Sequence, residues 1–105
     1  MLSSSYQYEI TDHAENDLDE IFSYISLDLS SPQAAENTIS NIQMAIKRIC
    51  YFPLSCPLVK DTYLMLKGYR ILVIGNYNVL YIFKDDTIYV MRVFYARRDY
   101  EQLLR

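Results

Sequence analysis

Glycine is nearly missing from this chain: only Gly68 and Gly75 occur among 105 residues. That excludes a glycine-rich phosphate-binding loop, whose backbone must approach the phosphates at several positions. Histidine occurs once, at His13, and cysteine twice, at Cys50 and Cys56. Structural zinc usually takes four ligands, and His13 is remote from both cysteines, so no metal site is expected. No spacing points to a nucleophile–histidine–acid set, and His13, at a helix start, reads as a surface residue. Two cysteines in a chain without an export signal read as free thiols. No apolar run approaches the ~20 residues that span a bilayer, and residues 1–6 have neither the basic nor the apolar region of a signal peptide. The expected location is the cytoplasm, with no membrane association and no cofactor.

Positive charge is missing from one half. Residues 1–46 hold eight acids and no Lys or Arg; residues 47–105 hold ten bases and five acids. The net charge of −3 thus conceals an acidic and a basic part. A dedicated nucleic-acid binder is usually basic overall, so tight nonspecific binding to DNA or RNA is not expected.

What is present is a chain that is 51% apolar, which fits one folded domain over residues 1–105 with a modest core. Tyr6, Tyr8 and Ile10 alternate with Gln7 and Glu9, which predicts a short strand with one buried face. Thr11 or Asp12 is placed to cap a helix, and Asp12 and Glu15 have capping-box spacing. Ala14, Leu18, Ile21, Phe22, Ile25 and Leu29 recur at three and four, predicting an amphipathic helix over about 12–29. Ser31 as cap and Pro32 at the first helical position begin a second helix. Its stripe is Ala35, Ile39, Ile42, Ile46 and Ile49, and it must end before Pro53. So short a connection makes an antiparallel helix hairpin. Residues 53–61 read as a loop, and 62–66 as a weak strand.

Residues 68–100 are the densest signal. Three β-branched and aromatic runs, about 69–74, 77–84 and 87–95, are separated by Gly75-Asn76 and Asp85-Asp86, both good turn pairs. Both faces of this meander are largely apolar, which predicts cover on each: one by the helix hairpin, the other by a partner. The fold class is α+β: an N-terminal strand, a helix hairpin, then a three- to four-stranded antiparallel sheet. Arg70, Arg92, Arg97 and Arg98 rim the meander, with Tyr77, Tyr81, Tyr89 and Tyr95 nearby. Arginine binds phosphate and carboxylate and stabilises developing negative charge; tyrosine stacks on bases or gives up a proton. That combination suits metal-free ribonuclease chemistry. Equally, the tyrosines fill a core and the arginines bridge to the acidic half.

Gly68-Tyr69-Arg70-Ile71-Leu72-Val73, Asn76-Tyr77, Tyr81, Asp85-Asp86, Ile88-Tyr89-Val90 and Arg92 to Asp99, in this order, resemble the RelE/ParE superfamily of type II toxin–antitoxin toxins. Pro32-Gln33-Ala34-Ala35-Glu36 with the isoleucine stripe and Phe52-Pro53 resembles its ParE and plasmid-stabilisation branch. The resemblance implies a cytoplasmic, growth-inhibiting bacterial toxin held by a cognate antitoxin, which would carry any DNA binding of the pair. ParE-like members poison DNA gyrase by protein contact; RelE-like members cut messenger RNA in the ribosome. As a nuclease, the chain would rely on Arg70 and Arg98. Against that, Leu72 and Asn78 fall where such nucleases carry cations, and Leu103, Leu104 and Tyr100 offer no good match to their C-terminal tyrosine. Loss of a guanidinium removes a charge-assisted phosphate contact. A toxin homologue kept only for complex formation is the further alternative. In each case Arg70, Asn78, Arg92, Tyr95, Arg97 and Arg98 are the expected target- or antitoxin-binding residues, and acidic antitoxin side chains are expected opposite Arg97 and Arg98.

Overall fold

The computed structural model describes residues 5–97. The chain runs through β1 (Gln7–Ile10), α1 (Asp12–Ser23), a π-helical turn (Tyr24–Asp28), α2 (Pro32–Ile49), α3 (Thr62–Leu66), β2 (Arg70–Ile74), β3 (Tyr77–Lys84) and β4 (Thr87–Tyr95). The strands form one sheet in the order β1-β4-β3-β2. β2–β3 and β3–β4 pair antiparallel, as tight turns require. Asp85 and Asp86 both take left-handed φ, at 52° and 59°, the backbone of a two-residue turn that matches strand twist. β1 instead joins β4 in parallel, so the sheet is mixed rather than wholly antiparallel. A parallel pair needs a long crossover, and here the whole helical segment lies between the two strands.

α1 and α2 cover one sheet face. Ala14, Leu18, Ile42, Ile46 and Ile49 pack with Val79, Tyr81, Ile88, Val90 and Val93. The spacing in β4 is informative. Ile88 and Val90 are two apart, but Val90 and Val93 are three apart, and all face the same core. A β-bulge makes this possible: Tyr81 pairs with Val90 and Leu80 with Arg92, leaving Met91 as the extra residue. The opposite face holds a second cluster, Val59, Leu64, Leu80 and Phe94, with Tyr69 and Ile71 against it. The chain's own loop and α3 thus cover part of the face for which a partner was expected.

One local choice is settled and three expectations need correction. First, of Thr11 and Asp12 it is Thr11 that caps α1; its hydroxyl accepts from the Ala14 amide at 3.3 Å and donates to the Val90 carbonyl at 2.8 Å. Second, the α form ends at Ser23, and the π turn adds one residue per turn before Ser30 reverses the chain at φ 52°. Ile25 stays buried, but Leu29, the last residue of the predicted stripe, is rotated outward. Third, residues 62–66 are helical, because Asp61 caps them through the Leu64 amide at 3.0 Å. Gly68 then closes the helix at φ 87°: the Gly68 amide bonds to the Met65 carbonyl and the Tyr69 amide to the Leu64 carbonyl, a Schellman ending. Fourth, Tyr6 and Tyr8 do not face a core; both remain well exposed. β1 is an edge strand with a neighbour on one side only, and Tyr6 merely leans edge-on against Phe83, ring centres 4.9 Å apart.

Candidate functional site

Two of the four arginines of the expected rim, Arg70 and Arg92, are occupied by the fold itself. Arg70 opens β2 directly opposite Tyr81 of β3. Its Nη1 donates to the carbonyls of Cys56 at 2.7 Å and Leu54 at 3.5 Å, while the Tyr81 hydroxyl donates to the Pro53 carbonyl at 2.8 Å. The two side chains together strap residues 53–56 to the sheet. Burial first, and then the Cys56 thiol, push the Tyr81 hydroxyl far above the ordinary tyrosine range. Its proton is already given to the Pro53 carbonyl, and the raised pKa makes it a weaker acid near neutrality.

Arg92 is also engaged. Its Nε and Nη2 grip the two carboxylate oxygens of Asp17 at 2.8 and 2.9 Å, and the Val93 amide donates to the same carboxylate at 2.9 Å. This bidentate pair ties α1 to β4 beyond the end of β1, where the edge of β4 would otherwise be bare. The hydrogen bond and charge of Asp17, with Glu20 adding to them, raise the Arg92 pKa. Asn78 is 8% exposed on β3, and no described group bonds its Oδ1. Arg97 and Tyr95 are solvent-exposed and Tyr89 is half-buried. Leu72 belongs to the core against the helices. Arg98, Tyr100, Leu103 and Leu104 lie outside the described residues.

One cleft stands out, of about 670 Å³, the size of a ligand-binding site. It opens between the α1–π-turn segment and the β3–β4 end of the sheet, and its walls include Asp17, Glu20, Tyr24, Leu29, Tyr77 and Tyr95. Tyr77 and Tyr95 meet edge to face, ring centres 5.7 Å apart. Burial chiefly, then the charges of Tyr95 and Tyr24, raise the Tyr77 pKa. Of the five described residues expected to bind a target or antitoxin, only Tyr95 lines this cleft.

Asp17, Glu20, Tyr24 and Leu29 were missed as site residues. Asp17 could have been found: it lies three residues after Ala14 and four before Ile21, so helical spacing puts a carboxylate on the apolar stripe. Tyr24 could not, because the π turn that orients it has no pattern of its own.

The sequence matches the family model for the ParE toxin of the type II toxin–antitoxin system, parDE, over residues 8–100. No curated protein sequence is significantly similar. In fold, the structure resembles a chain of the chromosomal ParDE toxin–antitoxin system from P. aeruginosa, at TM-score 0.71 and 18% identity, over 89% of this chain and 98% of that one. It also resembles a chain of the toxin–antitoxin complex RelBE2 from Mycobacterium tuberculosis, at TM-score 0.61 and 19% identity, over 88% and 99%. At such identities the two likenesses establish a shared fold.

Proposed function

The chain belongs to the ParE toxin family of type II toxin–antitoxin systems, and from that premise we propose that it is a toxin neutralised by a cognate antitoxin and that it acts on DNA gyrase by protein–protein contact. The observation that carries the choice of mechanism is the engagement of Arg70. A nuclease of this superfamily would need that cation free for phosphate, yet its guanidinium holds the Leu54 and Cys56 carbonyls of its own loop. Four further positions support the same reading. Arg92 is closed by Asp17, Tyr81 is buried on Pro53, and Asn78 and Leu72 bring no charge. Among the described residues no cation and proton donor converge where an RNA phosphate could sit.

The cellular partner in this reading is the antitoxin, and the target is the gyrase protein rather than its DNA. The test is a supercoiling assay with purified toxin, gyrase and relaxed plasmid, run beside a translation assay that follows message integrity. Loss of supercoiling, relieved by the antitoxin from the adjacent reading frame, is expected, with messages left intact. Intact supercoiling together with cleaved messages would replace this mechanism by the ribosome-dependent nuclease. No effect in either assay would leave an inactive homologue that only forms the complex.

A further inference from the structure

The cleft has two properties that the arginine rim does not. It is aromatic and it is negative. Tyr24 and Tyr95 are about half exposed on its walls, and Tyr77, on the same walls, meets Tyr95 edge to face. The face of a tyrosine ring attracts a cation within about 6 Å of its centre. Glu20 stands at the lip, exposed and without an ion-pair partner among the described residues. A shallower hollow of about 360 Å³ adjoins it, shares Glu20 and Tyr24, and adds Asp19 and Asp28.

Among the described residues no Lys or Arg lines either hollow. Arg92 stands behind the wall, gripped at two points by Asp17 and within electrostatic reach of Glu20; one cation set against Asp17, Glu20, Asp19 and Asp28 leaves the described region net negative. An acidic segment would be repelled here, whereas the aliphatic stem of a long basic side chain suits the Ile21 and Leu29 surfaces.

We infer that this cleft receives a lysine or arginine side chain, flanked by apolar residues, from the toxin-binding segment of the antitoxin. The assignment rests on the antitoxin reading above and gives it a charge rule. The segment is basic where it crosses Glu20 and the three tyrosines, whatever acids it turns toward Arg97. This polarity would also fix the direction in which the segment lies.

The test uses the full chain and the full antitoxin from the adjacent reading frame, with affinity measured by calorimetry at low and high salt. Glu20→Gln and Tyr24→Leu are both exposed changes. Each is expected to weaken the complex about 3- to 30-fold, and the Glu20→Gln effect should shrink at high salt. Changing each Lys and Arg of the antitoxin segment to Gln should reveal one residue whose loss is non-additive with both variants. Thermal melts of the free variants separate a fold defect from lost binding.

A wild-type complex that forms while both variants stay within twofold of it would overturn the cation pocket and leave the antitoxin reading standing. The same holds if no antitoxin cation couples to them. Failure of the wild-type complex to form would overturn both. If removing residues 98–105 tightens the complex, the chain's own tail is the occupant, and the assignment to the antitoxin is wrong.

Discussion

Asp17 holds three contacts with β4 at once. One carboxylate closes Arg92 and accepts the Val93 amide, joining the acidic first half of the chain to the basic second half. The pair is mostly shielded, with side-chain exposures of 17% for Arg92 and 12% for Asp17, so removing one partner strands the other. Asp17→Ala is expected to cost about 3 kcal/mol in urea unfolding. The double change with Arg92→Leu should cost less than the sum of the two single changes.

Tyr81 gives a second prediction at this scale. Its pKa is raised above the ordinary 10.0 in the fold, so above that pH the unfolded chain loses the proton while the folded chain keeps it. The stabilisation is therefore complete below about pH 10 and is lost as pH rises past it. Tyr77 is shifted the same way. The wild type should lose stability on alkaline titration, and Tyr81→Phe should flatten that loss. At neutral pH the same variant should cost about 1 kcal/mol for the stranded Pro53 carbonyl.

At the scale of elements, α3 is a five-residue helix held almost wholly by its ends. Asp61 supplies the start and Gly68 the stop, and Leu64 is its one buried residue. Space is open around a Cβ at Gly68, but φ is 87°. Gly68→Ala is thus penalised by conformation and not by collision, at about 1 kcal/mol; Asp61→Ala should cost a similar amount through the lost cap. In hydrogen exchange both variants should speed the amides of residues 62–69 before those of β3.

Both signals of α3 were legible as an aspartate before a short apolar run and a glycine after it. The run was too short for periodicity to separate helix from strand. The long elements were read well for the converse reason: α2 offered five stripe positions and a Ser-Pro start, and the β3–β4 turn offered two aspartates. The π turn was not legible, since α and π windings differ by one residue per turn and the apolar stripe fits either until tertiary contacts choose.

For the whole molecule, the architecture places two cores on the two sheet faces, one under the helix hairpin and one under α3 with its loop. Arg70 belongs to the strap that holds residues 53–56, beside the first core, to the sheet. Arg70→Ala is therefore expected to lower the melting temperature by several degrees, as the loss of about 1–2 kcal/mol in a domain of this size implies. Supercoiling inhibition per folded molecule should remain unchanged. A specific loss of inhibition at full folding would show that Arg70 touches the target.

The sequence by itself determined the two long helices, the Ser31 cap with Pro32 behind it, the meander and the family, because periodicity, turn residues and motif order are local or linear properties. It also determined that cations would cluster late in the chain. Only the tertiary structure decided which of those cations are free. Pairing β1 beside β4, and the bulge in β4, bring Asp17 to Arg92 across 75 positions; the loop before α3 takes Arg70 for its carbonyls. Closure of the helix hairpin over the end of the sheet then gathers Glu20, Tyr24, Tyr77 and Tyr95 around one cleft. A charge is available for a partner only if no nearer group in the fold satisfies it first, and nearness of that kind is a property of the packed chain.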